Sequence, residues 1–439
     1  MPTRISRRDM LRTSAVAAGV WTLGSRRSPA LSRSPNEKLN IAGIGVGGRG
    51  LANLQGVAGE QIVALCDVDD ARAGGTYERF PQARRYADFR KMLEQMHDQL
   101  DAVVISTPDH THAVPGVMAM ELGLHCYCEK PLTHTVWEAR RMAEAAKRNE
   151  VVTQMGNQIH AGANYRRVVE LVQSGAIGSV AEVHVWLGAD FDGPPGPREV
   201  SQPDAPADSQ PVPETLDWDL WLGPAPYVPY HSAYVPFHWR YWWHFGNGNL
   251  GDFYCHYCDL AFWALDLRTP TTIRAEGSVH PESAARWTIA QQHFAARGDL
   301  PAVDLTWYNG GPYPEWAQER NIPAWRNAVL FIGSEGMLIA DYRRRQLLPE
   351  TRFADFQAPE PFLPDSIGHH REWVEACKTG AATTCDFDYT GPMTEAALLC
   401  NVSLRTGEKI TWDAENLTAI DCPAADDFIR REYRSGWEF

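Results

Sequence analysis

Four short segments carry residue types at spacings that could do chemistry. Gly45-Val46-Gly47-Gly48-Arg49-Gly50 follows the apolar run Leu39-Asn40-Ile41-Ala42-Gly43-Ile44. Gly45 permits a tight turn after a strand, Gly47 lets the backbone approach a pyrophosphate, and Gly50 lets the next helix pack on the strand. With Gly48 and Arg49 at the helix entry, free N–H groups and a partial positive charge would face phosphates. A second apolar run, Gln61-Ile62-Val63-Ala64-Leu65-Cys66, ends at Asp67, twenty-two positions after Gly45. That is close to the spacing of roughly 20 at which an acid meets a ribose 2′-hydroxyl. An acid there repels a 2′-phosphate, so NAD is expected and NADP disfavoured.

The second and third segments fall at the ends of later strand patterns. They are Ser106-Thr107-Pro108-Asp109-His110-Thr111-His112 and Glu129-Lys130-Pro131. Thr107, Pro108, His112, Glu129 and Lys130 are therefore candidate cofactor contacts, and Lys130 is placed to stand beside a nicotinamide. The fourth segment runs from Gly246 to Asp259, a glycine-rich turn leading into a helix. Asp252 and His256 are four apart and share a helix face. A histidine titrates in the range that suits transfer of a hydroxyl proton, and Asp252 could fix the imidazole or hold a hydroxyl. A satisfied core histidine is the competing reading of His256 and stays open. His160 and Tyr165 are further candidate substrate contacts, with Asp252, Tyr254 and His160 alternative proton acceptors.

The elements that must position these residues are legible as periodicity. From residue 37 to 157, strand patterns (Leu39 to Val46, Gln61 to Cys66, Ala102 to Ser106, His125 to Cys128, Val151 to Met155) alternate with helical ones such as Val136 to Arg148. Alternation of this kind predicts a parallel, doubly wound sheet, with ligands beyond the carboxyl ends of its strands. After a helix near Asn164 to Gln173, the pattern changes. Val183 to Leu187, Ile273 to Val279, Thr288 to Phe294, Val303 to Trp307 and Ala328 to Ile332 read as strands of a second sheet. Val303, Leu305 and Trp307 alternate with Asp304 and Thr306, as one buried face requires. Ser334-Glu335-Gly336 reads as a hairpin link, so residues 158–439 are expected to hold a mostly antiparallel sheet. A Pro-rich insertion from Gly193 to Glu214 is expected to be a surface loop. The stretch Trp218 to Trp263 holds six of the sixteen tryptophans, which fit either a sugar-stacking platform or a core or subunit interface.

The 439 residues suffice for about two domains, and 44% hydrophobic content supports a large core. A formal charge of -14 with no basic stripe argues against nucleic acid. Residues 1–36 stand apart. Ser6-Arg7-Arg8-Asp9-Met10-Leu11 precedes an apolar run from Ala15 to Leu23, which is too short to anchor in a bilayer. This resembles a twin-arginine export signal and predicts an exported protein that loads its cofactor before export. The nine cysteines form no dense framework. Cys255 and Cys258 have CxxC spacing but no accompanying ligand pair, so no metal is expected.

Gly45 to Gly50, Glu129-Lys130-Pro131 and Gly251-Asp252-(x)3-His256 together resemble the three signatures of the glucose–fructose oxidoreductase / inositol dehydrogenase / rhizopine-catabolism (Gfo/Idh/MocA) family. The resemblance covers nearly all of the chain after the leader. The stretch from Ile367-Gly368-His369-His370-Arg371-Glu372-Trp373 to Arg434-Ser435-Gly436-Trp437 resembles an exported bacterial branch. The resemblance implies a Rossmann domain followed by an α+β domain with a large, mostly antiparallel open sheet. It implies that Lys130 lies by nicotinamide and substrate, that Asp252 binds substrate, and that His256 is the acid/base. A cis Lys130-Pro131 bond and a homo-oligomer are also expected. Relatives commonly carry glycine where this chain has Phe253-Tyr254-Cys255, so a narrowed pocket is expected. Three readings follow: an NAD-dependent oxidoreductase acting on a secondary hydroxyl of a sugar, cyclitol or glycoside; a redox-assisted glycosidase; and a secreted binding protein without turnover.

Overall fold

The computed structural model describes residues 37–188, 202–310, 314–420 and 422–439. The leader and most of the first half of the Pro-rich insertion lie outside the described residues. Six parallel strands form the first sheet: β1 (Asn40–Ile44), β2 (Gln61–Cys66), β3 (Arg84–Tyr86), β4 (Ala102–Ile105), β5 (His125–Glu129) and β6 (Thr153–Gly156), in the order β3-β2-β1-β4-β5-β6. The order reverses between β1 and β4, which opens a crevice at the carboxyl ends of those strands. Every strand pattern read from the sequence in this region is a strand of this sheet. Only β3 went unread: three residues, Arg84-Arg85-Tyr86, are too few and too polar to show a period.

Alternate strand residues feed two cores. Ala42, Ile44, Val103 and Ile105 join the core shared with the second sheet, while Ile41, Leu65, Val104 and Tyr127 face the other way. That second core is completed from far along the chain. Trp373, Val374 and Cys377 of the His369–Thr379 helix pack into it, and Lys378 pairs with Glu60 at 2.7 Å. The expected division at residue 157 is therefore incomplete in space: a late helix closes the face of the first sheet.

The second sheet has nine strands in the order β13-β12-β11-β7-β10-β9-β8-β14-β15. They are β7 (Val180–Leu187), β8 (Thr272–Gly277), β9 (Thr288–Phe294), β10 (Val303–Asn309), β11 (Ala328–Gly333), β12 (Met337–Ala340), β13 (Arg345–Leu348), β14 (Ile410–Asp413) and β15 (Thr418–Ile420). All neighbours are antiparallel except β7 and β10. Val303, Leu305 and Trp307 are fully buried, as their alternation requires. That face packs on two long helices, Gly248–Leu265 and Phe387–Thr406. Both are apolar on most sides because both are buried. The first of them delivers Asp252 and His256 to the crevice.

Residues 202–214 are irregular, as expected of a loop. Beyond them Leu216, Trp218, Trp221, Tyr230, Tyr234, Trp239, Trp242 and Phe245 form a small core of their own. Trp218 stacks on Trp221 at 4.7 Å. The tryptophans are thus mainly structural. Their segment is tied to the first sheet, with Asp70 N–H donating to Thr215 O (3.0 Å) and Asp217 N–H to Val68 O (2.8 Å). The tie lies directly over the end of β2. No helix among the described residues is long and apolar enough to cross a membrane.

Candidate active site

A cavity of about 640 Å3 occupies the crevice. The glycine turn forms its floor. Gly45 has φ +73°, and an added Cβ would lie 2.8 Å from the Thr107 backbone nitrogen. A Cβ on Gly50 would collide with the Gly45 carbonyl oxygen, so this helix approaches the strand closely only because position 50 is glycine. Gly45, Gly47, Gly48 and Arg49 line the cavity, and Gly50 serves from behind. Asp67 lines it too, but its carboxylate is also built into the turn. Oδ2 accepts from Val46 N–H (2.8 Å) and Gly47 N–H (3.1 Å), and Oδ1 accepts from Asp69 N–H (3.0 Å). Burial raises its pKa despite those donors.

Thr107, Pro108 and Glu129 also line the cavity. Thr107 Oγ1 is buried without a partner. Such an orphan in the wall, beside a cradle that side chains would fill, fits a bound dinucleotide. Glu129 accepts from Asn53 Nδ2 (2.9 Å) and Gln158 Nε2 (2.8 Å). His112 does not reach the cavity. It is 1% exposed, with Nδ1 at 2.8 Å from Pro131 O and Nε2 at 2.8 Å from Thr107 O. It is a strut between two strand-end loops, and its expected contact with cofactor is corrected accordingly.

Lys130, Asp252 and His256 converge on the opposite wall. The Lys130-Pro131 bond is cis. Lys130 Nζ donates to Asp252 Oδ1 in a short contact and to the Asp252 carbonyl at 2.7 Å. Arg240 Nε lies 3.5 Å from the same carboxylate. Burial works against charge on Asp252, but the Lys130 ammonium, its hydrogen bond and Arg240 hold its pKa below the usual range. His256 Nδ1 is 2.6 Å from Asn157 Oδ1, and Asn157 Nδ2 donates to Cys255 O (2.9 Å). The amide orientation fixed by Cys255 makes Nδ1 the protonated nitrogen of His256. Nε2 is left with its lone pair on a ring that lines the cavity. Burial and then the Lys130 charge push His256 down to about 3, so it is a neutral acceptor at neutral pH.

Two sequence candidates are displaced. His160 is 2% exposed and its Nδ1 contacts the Asp259 carboxylate at 2.9 Å, with its ring stacked 4.0 Å from Trp263. Tyr165 is fully buried and donates to the His256 carbonyl at 2.7 Å. Neither lines the cavity, so both act as supports behind the helix rather than as substrate contacts. Tyr254 is likewise buried, on Gln292.

Three residues that sequence reasoning missed belong to the site: Asn157, Arg240 and Asp109. Asp109 lines the cavity, is 4% exposed and accepts from Asn247 Nδ2 at 3.4 Å. Burial pushes its carboxyl up to about 7, against the pull of Arg240 and Lys130. Its position within the strand-end segment was the available signal. In the Phe253-Tyr254-Cys255 triplet only Phe253 lines the cavity, its ring centroid 5.9 Å from Lys130 Nζ. Tyr254 and Cys255 point into the core, so the narrowing is a one-residue effect.

A doubly wound sheet whose glycine turn faces a lysine, an aspartate and a histidine from an apposed helix defines a class, the two-domain dinucleotide-binding oxidoreductases. The chain belongs to the Gfo/Idh/MocA oxidoreductase family: residues 38–157 match its NAD-binding Rossmann fold and residues 161–439 its C-terminal alpha/beta domain. NAD is the cofactor of that N-terminal fold. The chain is 30% identical over 153 residues to the inositol 2-dehydrogenase of Salmonella typhimurium, covering 34% of this chain and 44% of that protein. It is 34% identical over 201 residues to a glycosyl hydrolase family 109 protein of Solibacter usitatus, covering 40% and 44%. The alignments thus span under half the length of these relatives. The WlbA dehydrogenase of Bordetella pertussis, in complex with NADH and UDP-GlcNAcA, has the same fold, with a TM-score of 0.59 at 18% identity over 86% of this chain and 99% of that one.

Proposed function

We propose that this protein is an NAD-dependent oxidoreductase that oxidises a secondary hydroxyl of a neutral sugar, cyclitol or glycoside. The observation that carries the reading is the convergence of Lys130, Asp252 and His256 on the cavity that the glycine turn floors. When bound, the nicotinamide supplies the acceptor for the hydride of the substrate carbinol. His256 Nε2 accepts the hydroxyl proton, while Asn157 holds Nδ1–H and with it the productive tautomer. Lys130 polarises the hydroxyl oxygen and stabilises charge that develops there. Asp252 holds the Lys130 ammonium in place and offers its second oxygen to a neighbouring hydroxyl. Phe253 and Trp239 supply apolar wall for sugar C–H faces.

A second reading has support in the similarity to glycosyl hydrolase family 109 proteins. There the hydroxyl is oxidised only transiently, the neighbouring C–H is acidified and the glycosidic bond is eliminated. Water then adds, and reduction closes the cycle with no net NADH. A panel of neutral sugars, cyclitols and glycosides separates the two: lasting NADH absorbance supports the first, released sugar without it supports the second. Activity confined to phosphorylated substrates would contradict both. The Arg7-Arg8 leader supports export by the twin-arginine route, and the large second sheet supports a homo-oligomer.

A further inference from the structure

A second cavity, of about 320 Å3, shares no lining residue with the active-site crevice. Asn247 lines it, and the same side chain donates to Asp109 in the crevice wall. Its walls collect unmet donors. Arg405 sits in the last turn of the Phe387–Thr406 helix, where a cation is favoured. Its guanidinium lies 4.0 Å from the Phe428 ring centroid and 4.9 Å from that of Trp243. It makes no ion pair with any described residue, and burial alone pushes its pKa down to about 10. Arg431 commits Nε and Nη2 to Glu138 and the His110 carbonyl, but Nη1 is buried without a partner. Both ring nitrogens of His134 are buried and unpartnered. Burial, followed by the charges of Arg431 and Arg405, holds that ring neutral, with one N–H to give. The carboxylates that line the cavity, Asp427 and Glu432, are solvent-exposed beside Arg430.

Buried donors left unpaired cost stability, and an unpaired half-buried guanidinium costs more. Aromatic faces on Arg405 hold its fork in place without neutralising it. We propose that this cavity is a binding site for a small oxyanion, a phosphate or a carboxylate, with Arg405 as its principal charge and Arg431 Nη1 and His134 as additional donors. The volume admits either the free ion or the acid group of a sugar-sized molecule. The site does not depend on the reaction proposed above.

The test uses the full protein saturated with NAD, so that the glycine turn is filled. Inorganic phosphate, glucuronate and glucose are titrated at constant ionic strength in chloride, with calorimetry and thermal melting as readouts. Phosphate or glucuronate should bind saturably and raise the melting temperature by roughly 2–5 °C near a hundredfold excess over Kd; glucose should not. A response to phosphate alone identifies the free ion, and one to glucuronate alone identifies a sugar acid. Arg405→Gln should weaken binding at least tenfold and His134→Ala several-fold, with NAD affinity unchanged. His134→Ala carries the test if Arg405→Gln does not fold. The proposal is overturned if neither anion binds saturably, if glucose matches glucuronate, or if affinity is unaltered in the variants.

Discussion

Replacing Asn157 by aspartate should change when His256 can accept a proton. In the native protein Nδ1–H is held by a neutral amide oxygen at 2.6 Å, and the ring is pushed down to about 3. An aspartate carboxylate at the same place is an opposite charge within about 4 Å, which raises a histidine by roughly 1–3 pH units. His256 in Asn157→Asp should therefore titrate between about 4 and 6. Below its pKa the ring is protonated and cannot act as base, so the acid limb of kcat moves up by the same interval. Asn157→Leu is the companion. It removes the acceptor and with it about 1–1.5 kcal/mol of tautomer preference, or roughly a tenfold fall in kcat. It also removes the second donor to the Cys255 carbonyl, which keeps its place in the Gly248–Leu265 helix, and should lower stability by about 0.5–1.5 kcal/mol. Histidine NMR titration, with His256 assigned by difference from His256→Gln, reads the shift without a substrate. The reasoning fails if His256 titrates near 6.5 in the native protein, or if Asn157→Asp leaves its titration where it was.

Asp67→Ala should weaken NAD by about tenfold or more and NADP far less, because a charged hydrogen bond to ribose is worth about 1.5–3 kcal/mol; equal losses measured by calorimetry would confine Asp67 to holding Val46 and Gly47. Asp109→Asn should stabilise the protein as pH rises. A carboxyl pushed up to about 7 binds more protons folded than unfolded between about pH 4 and 7, so stability falls across that window. The variant should lose that fall and melt higher at pH 8 with little change at pH 4. Replacing Arg7 and Arg8 by lysine should leave the precursor in the cytoplasm, seen by fractionation, and unchanged export would exclude the twin-arginine route.

Much of this architecture was legible because the signals are local. The glycine turn needs φ +73° at Gly45 and a close approach at Gly50, and only glycine supplies both. Val303, Leu305 and Trp307 share the face of β10 that packs on the helices, although Thr306 and Tyr308 on its other face are buried too and only Asp304 is exposed. What escaped was set by distant contacts. Asn157 lies just past a strand pattern and carries no motif, yet a helix nearly one hundred residues later brings His256 to its amide. Asp109 stands in a strand-end segment with no role of its own in the sequence, and only burial beside Asn247 makes it a carboxyl poised near neutrality. His160 and Tyr165 have suitable chemistry but face the far side of the Gly248–Leu265 helix, which helical spacing cannot reveal. The His369–Thr379 helix returns to the first sheet by tertiary packing alone.

The most direct measurement follows absorbance at 340 nm in a single turnover of the NAD-loaded protein across neutral sugars, cyclitols and glycosides. At least one substrate should give a rise, lasting or transient. His256→Gln and Lys130→Met should slow it by about 10²–10⁴, with NAD affinity little changed. A rise at the native rate in His256→Gln, or none on any substrate while NAD remains bound, would contradict the assignment of proton transfer to this cluster.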